Sequence, residues 1–238
     1  MSFLKSFHQN ILLPLQDSIY PPVCFTCGEF RENRRSRICP QCWMTTCRVD
    51  SENPTWVEIK NKLEMEEAVQ AMLSCFLFEK EGKVQEIIHL LKYSAIKSVG
   101  VELGEEIGRA IVHDPVFSGA DVLIPVPLHK LKFRERGYNQ SELLCKGISV
   151  VTHIPMNSKL LVRNKYTLSQ TQLSLDERKA NVGDAFAAGW TSLSDVENKT
   201  IIIVDDVITT GSTISACARV LRAGGARCVL AASAALAR

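Results

Sequence analysis

Ile201-Ile202-Ile203-Val204 is a run of four β-branched apolar residues, and two carboxylates, Asp205 and Asp206, follow it directly. Such side chains are stiff and pack well on a pleated surface. A strand apolar on both faces is one covered on both faces, the usual position of a parallel strand. The chain then turns through Thr209-Thr210-Gly211-Ser212-Thr213, and helical spacing begins with Ile214, Cys217, Ala218 and Leu221. Strand, turn and helix in this order require an α/β sheet, which binds ligands beyond the carboxyl ends of its strands. The turn can aim N–H groups and hydroxyls at a phosphate, at the positive end of the following helix. Gly211 lets the backbone approach closely. The carboxylates would repel that phosphate, so they suit a sugar diol or a Mg²⁺ ion instead. The stretch therefore asks for a ligand carrying a phosphate, a vicinal diol and a divalent metal.

Phosphoribosyl pyrophosphate (PRPP) carries all three. An apolar strand, Asp-Asp and Thr-Thr-Gly-x-Thr together resemble the PRPP-binding motif of type I phosphoribosyltransferases. The resemblance implies that Asp205 and Asp206 hold the ribose hydroxyls and, through the ligand, Mg²⁺. It implies that Thr209, Thr210, Gly211, Ser212 and Thr213 bind the 5′-phosphate.

Bulk properties exclude other classes. The 238 residues suffice for one α/β domain and a small module, and the net charge of +2 does not announce a nucleic-acid binder. No apolar run approaches the ~20 residues of a membrane span. The N-terminal segment with Phe3, Leu4, Phe7, Ile11, Leu12 and Leu15 is amphipathic, is interrupted by Pro14 and lacks a small-residue cleavage site. It reads as a short helix over residues 1–20 rather than a signal peptide, and a cytoplasmic location is expected.

Nine cysteines in such a chain argue against a disulfide framework. Cys24-x-x-Cys27 and Cys39-x-x-Cys42, eleven residues apart, instead have the spacing of a tetrahedral Zn²⁺ site. The loop between them is short and polar, so metal must supply the folding energy of a Cys₄ zinc ribbon over residues 21–50. Cys47 reads as a spare or replacement ligand and is left out of the site, since four ligands already close it. Arg31, Arg34, Arg35 and Arg37 in this loop suit either a nucleic-acid contact or a solvated surface.

Residues 51–70 are polar and read as a linker, and the large domain is expected over 71–238. Residues 71–78 read as a strand with Cys75 in the core. Val84, Ile87, Ile88 and Leu91, then Val99, Leu103, Ile107 and Ile111, read as two amphipathic helices. Lys92, near the end of the first, either complements the helix dipole or faces an anionic ligand. Val122 to Pro127 reads as a buried strand, and a basic segment containing Lys130, Arg134 and Arg136 follows. In type I phosphoribosyltransferases the loop in this place binds pyrophosphate; Arg134 and Arg136 are nominated because bidentate guanidinium suits phosphate. Lys130 is a weaker candidate, and His129 is read as structural or solvated. Asn139 is placed to cap the next helix. Residues 159–163 form a short strand, and the polar stretch that follows matches the family's flexible loop, with Arg163, Gln170 and Arg178 as ligand contacts. Ala185-Phe186 is expected to return the chain to the main sheet, and Arg227 to Ala235 to supply its last strand.

The whole pattern resembles the ComF family of competence-associated, phosphoribosyltransferase-like proteins. The matching residues are Cys24, Cys27, Cys39 and Cys42, Leu91-Lys92-Tyr93, Pro125-Val126-Pro127, Arg134-x-Arg136-Gly137-Tyr138-Asn139-Gln140, Thr167-x-Ser169-Gln170, Arg178-x-x-Asn181 and the Asp-Asp strand. The resemblance implies a type I phosphoribosyltransferase fold: a mostly parallel central sheet flanked by helices, with a hood and a flexible loop, plus the small zinc ribbon. It implies a role in DNA uptake or DNA use, with PRPP and Mg²⁺ at the site. One expectation is a transferase of unidentified acceptor. The alternative is a non-catalytic PRPP-sensing adaptor whose ribbon binds single-stranded DNA or competence proteins. A plain salvage transferase has no need of the ribbon.

Overall fold

The computed structural model describes residues 22–31, 36–94, 96–163 and 185–237. The expected N-terminal helix, Arg34, Arg35, Gln170 and Arg178 lie outside these residues. The chain divides into two compact units, residues 1–45 and 46–238.

The first unit is a pair of cysteine knuckles. Gly28, at φ +74°, closes the first, and its N–H donates to the Cys24 carbonyl. Cys39 is the N-cap of α1 (Pro40–Met44), with its side chain accepting from the Cys42 N–H.

The second unit opens with α2 (Pro54–Met65), a helix in the stretch read as linker. Its start was written in the sequence. Pro54 sits at the first helical position, where no hydrogen bond is lost, and Asn53 Oδ1 accepts the N–H groups of Thr55 and Trp56. Next come β1 (Ala71–Leu77), α3 (Lys83–Tyr93), α4 (Lys97–Val112), α5 (Pro115–Ser118) and β2 (Val122–Pro125). The basic segment expected as a loop contains a two-turn helix, α6 (Lys130–Arg136), N-capped by His129 Nδ1. Then follow α7 (Gln140–Thr152), β3 (Leu161–Arg163), β4 (Phe186–Ala188), β5 (Thr200–Ile208), α8 (Ser212–Ala223) and β6 (Cys228–Leu236).

Four strands make an all-parallel sheet in the order β1-β6-β5-β2. Because β5 is interior, its residues 201–204 are fully buried. Odd-numbered Ile201 and Ile203 share a core with Leu63 of α2, Cys217 and Leu221 of α8, and Leu161 and Phe186. Strand alternation sends Ile202 and Val204 to the other face, under α4 and α7. Those two helices meet backbone to backbone. A Cβ on Gly104 would lie 2.1 Å from the Leu144 carbonyl oxygen, and one on Gly147 would lie 2.0 Å from that of Val101. The sequence leads to the expectation that Ala185-Phe186 rejoin the main sheet; the structure corrects this. Phe186 pairs with Arg163 in a separate antiparallel β3-β4 ribbon, whose apolar residues cover the α8 face.

Candidate functional site

Asp205 and Asp206 lie in the carboxyl-terminal half of β5, next to the carboxyl end of β2, whose Pro125 pairs with Val204. Adjacent residues on a strand point to opposite faces, and the two carboxylates find different partners. Asp206 Oδ2 forms an ion pair with Lys92 Nζ at 2.9 Å, reaching the C-terminal turn of α3. Asp205 Oδ1 accepts the Asp206 N–H at 2.8 Å and the Ser141 hydroxyl at 3.3 Å. Burial, reinforced by the neighbouring Asp206 charge, pushes the Asp205 carboxyl up to about 7; the Asp206 N–H, Lys92 and Ser141 pull the other way. Near neutrality Asp205 therefore exchanges its proton readily, while Asp206 is held by a cation.

Beyond the strand the chain turns through Thr209 and Thr210 into Gly211, which is left-handed at φ +73° and packs on Leu63, 3.0 Å from where a Cβ would stand. α8 starts immediately, so its first N–H groups face the turn. Thr210 Oγ1 and Ser212 Oγ lie 3.0 Å apart, and Lys62 Nζ donates to the Thr210 carbonyl. The geometry gathers hydroxyls, helix N–H groups and a nearby ammonium, the donors an anion requires.

Two clefts open at this end of the sheet, and one of them includes Asp206. One, about 420 Å³, is lined by Lys92, Asp206, Thr209 and Thr213 and continues along α3. The other, about 330 Å³, is lined by Pro127, Lys130, Asn139 and Arg163. Arg163 lies over the Phe186 ring at 5.2 Å; burial lowers its pKa, opposed by the Asp205 charge. The expected pyrophosphate residues divide. Arg136 sits 5.8 Å over the Tyr93 ring at the α3 side, and Arg134 stands exposed on α6. The corner between α6 and α7 is fixed by Tyr138, whose hydroxyl donates to the Leu91 carbonyl, and by Asn139 Nδ2, which donates to the Val126 carbonyl at 3.0 Å. The sequence offered Ser141 only as part of the Asn139-Gln140-Ser141 cap and not as a partner of Asp205. Lys62 and Leu63 lay in the presumed linker, and only the Asn53-Pro54 helix start could have revealed them.

In the small unit, the sulfurs of Cys24, Cys27, Cys39 and Cys42 lie within 4.8 Å of one another and could hold a metal ion. A tetrahedral thiolate site with metal–sulfur bonds of about 2.3 Å has edges of roughly 3.8 Å. Cys24–Cys42 at 3.9 Å and Cys27–Cys39 at 3.8 Å have that length. The Cys39 N–H donates to Cys24 Sγ and the Cys42 N–H to Cys39 Sγ, each at 3.3 Å. Burial opposes ionisation of Cys24, but backbone donors from Cys27, Cys39 and Thr26 outweigh it and hold the thiol down at about 6. The exposed Cys47 is not part of this cluster. Among the described residues, no helix is long and apolar enough to cross a membrane.

The profile of the phosphoribosyl transferase domain matches residues 156–238. The DNA utilization protein YhgH of Escherichia coli K12 is 34% identical over 146 residues, 60% of this chain and 63% of that protein. The chain thus spans under two thirds of that relative's length. Competence protein F of Haemophilus influenzae is 37% identical over 102 residues, 43% of this chain and 44% of that protein. A solved glutamine PRPP amidotransferase from Bacillus subtilis, in complex with ADP and GMP, aligns at 21% identity with a TM-score of 0.41, covering 62% of this chain and 30% of that one. The domain match spans β3 to β6 and so contains the carboxylate pair and the hydroxyl turn, on a parallel sheet flanked by helices as a type I phosphoribosyltransferase fold requires. With its N-terminal four-cysteine cluster, its phosphoribosyl transferase domain and its similarity to competence and DNA-utilization proteins, the chain resembles the ComF family of competence-associated, phosphoribosyltransferase-like proteins.

Proposed function

We propose that the chain binds PRPP with Mg²⁺ at the carboxyl end of β5 and transfers its phosphoribosyl group during DNA uptake or DNA utilization. One observation carries this reading: a helix N-terminus rich in hydroxyls stands beside two carboxylates, with Lys92 facing Asp206 across the same cleft. The 5′-phosphate takes the N–H groups and hydroxyls from Thr209 to Thr213. The ribose hydroxyls donate to Asp205 and Asp206, displacing Lys92 from Asp206 and leaving its ammonium beside the pyrophosphate. Mg²⁺, bound through the ligand, supplies charge neutralisation at the leaving group. Arg136 and Arg134 add bidentate contacts there, and Arg163 lies in the other cleft; by the family resemblance Gln170 and Arg178, outside the described residues, are further contacts. The carboxylates beside the sugar stabilise positive charge developing at its anomeric carbon. Zn²⁺ closes the four sulfurs of the small unit. Nine cysteines outside any disulfide suit a reducing, cytoplasmic compartment.

Isothermal titration of PRPP with Mg²⁺ tests the reading, followed by assay of pyrophosphate release in cell extract. Saturable binding that Asp205→Ala/Asp206→Ala removes is the expected result, and absence of binding to the intact chain refutes it.

A second reading, a PRPP-sensing adaptor, is favoured by the surface of the small unit. Phe25 and Phe30 are 38% and 69% exposed, and Arg37 stacks on Phe25 at 5.8 Å. Exposed aromatics with arginine suit stacking on single-stranded DNA. Saturable PRPP binding without pyrophosphate release in cell extract supports the adaptor, and release of pyrophosphate supports the transferase.

A further inference from the structure

The hydroxyl turn does not hold its shape alone, because the last turn of α2 grips it from behind. Lys62 Nζ donates to the Thr210 carbonyl. Leu63, fully buried, packs against the left-handed Gly211, its methyl carbons 3.0 and 3.4 Å from where a Cβ would stand. Glu66 caps α2, and its Oε2 accepts the hydroxyl of Ser215, in the first turn of α8, at 2.6 Å. The charge on Lys62 is the informative part. A lysine in a last helical turn needs no partner beyond the helix dipole, and Lys60, two residues earlier, pairs with Glu64 at 3.6 Å. Lys62 has no carboxylate within ion-pair distance among the described residues and spends its ammonium on a neutral carbonyl of the turn. The peptide between Thr210 and Gly211 is trans, so its N–H points opposite to that carbonyl, away from Lys62. Among the described residues this Gly211 N–H has no acceptor.

We infer that Lys62 is a positioning residue of the phosphate site: by holding the Thr210 carbonyl it aims and polarises the Gly211 N–H, which donates to the ligand's 5′-phosphate. The inference rests on the sugar-phosphate reading above and adds to it a residue far outside the matched segment 156–238. Hydrogen bonds in a chain polarise one another, so a peptide oxygen that accepts from an ammonium leaves its N–H a stronger donor. An N–H donating to phosphate is charge-assisted, and its strength depends on that polarisation. Leu63 backs the same peptide, so Gly211 cannot swing toward α2. Glu66 fixes the start of α8, whose own first N–H groups face the same ligand.

The test titrates ribose 5-phosphate with Mg²⁺ against the intact, zinc-loaded chain and follows the Gly211 amide proton by nuclear magnetic resonance. In the parent, binding moves that proton downfield. Lys62→Met keeps the aliphatic stem and removes the donor. Its affinity falls about tenfold, the order set by weakening one charge-assisted hydrogen bond. The downfield movement of Gly211 falls by about half or more, while that of Thr213 is kept. Lys62→Arg restores a donor to the carbonyl and returns affinity to within about threefold of the parent, with the Gly211 movement regained. Lys62 is half-buried at the end of α2, so both variants keep their melting temperature. Parent-like affinity in Lys62→Met overturns the positioning role and leaves the sugar-phosphate reading standing. Lost affinity with an unaltered Gly211 movement overturns it too, since the ammonium then acts on the ligand directly. Failure of ribose 5-phosphate to bind the parent overturns both readings.

Discussion

Replacing Asp205 with Asn separates the cost of the site from its use. The carboxyl is carried from 3.8 to about 7, chiefly by burial. Each tenfold change in proton affinity corresponds to about 1.4 kcal/mol, so roughly three decades amount to about 4 kcal/mol against the charged form. The sign follows from linkage. The unfolded chain gives up this proton near pH 4 while the folded chain retains it, so stability falls as pH rises from about 4 to about 7 and then levels off. Asn removes the charge and keeps an oxygen for the Asp206 N–H and the Ser141 hydroxyl. Allowing about half the gain to be lost to imperfect hydrogen bonding and to the missing attraction of Lys92, Asp205→Asn should be stabilised by about 2 kcal/mol at pH 8. For a unit of this size that is a rise of about 4–8 °C in Tm. Calorimetric scans at pH 4 and pH 8 test it, with the advantage present at pH 8 and absent at pH 4. Adding PRPP and Mg²⁺ should reverse the ranking, because the variant loses a diol acceptor. A variant no more stable than the parent at pH 8, or stabilised equally at both pH values, refutes the reasoning that this carboxylate is held against its preference.

Two more expectations follow from packing and from the cysteines. Gly147→Ala places a methyl group 2.0 Å from the Val101 carbonyl oxygen, where only backbone could yield. A loss of about 3 kcal/mol or more is expected in denaturant titration, the upper end for overpacking, and a loss under 1 kcal/mol refutes the close approach of α4 and α7. Cys27→Ser should lower bound zinc from about one equivalent to near none in elemental analysis, because a structural tetrahedral site needs all four thiolates. Full retention of zinc refutes the Cys₄ assignment.

Much of the large unit was legible because its signals are local. The run Ile201–Val204 is apolar on both faces and could only be an interior strand. The spacing of Val84, Ile87, Ile88 and Leu91 marked the buried side of α3, and Asn139 marked the start of α7. The failures came where long-range contact decides. The pairing of Phe186 with Arg163 depends on a partner more than twenty residues away, and nothing in two apolar residues states which sheet they join. Polarity made residues 51–70 look like a linker, yet Ile59 and Leu63 supply a buried stripe that α2 lays into the core. The site was legible by motif, since Asp205, Asp206 and the threonine turn are contiguous. The pairing of Lys92 with Asp206 was not, because it forms only when α3 folds beside β5. Gly100, Gly104 and Gly108 recur at every fourth residue, a pattern for close helix contact that goes unread until α7 is placed against it.

The hydrogen bond from Tyr138 to the Leu91 carbonyl has a reach beyond its own corner. It ties off a carbonyl in the last turn of α3, one residue before the lysine that grips Asp206, and it grows from the segment that carries Arg136. Opposite banks of the cleft are thereby moored to a single phenol. Loosening that mooring would slacken the lysine's aim and the arginine's together, so a residue that touches no ligand sets the spacing between cations.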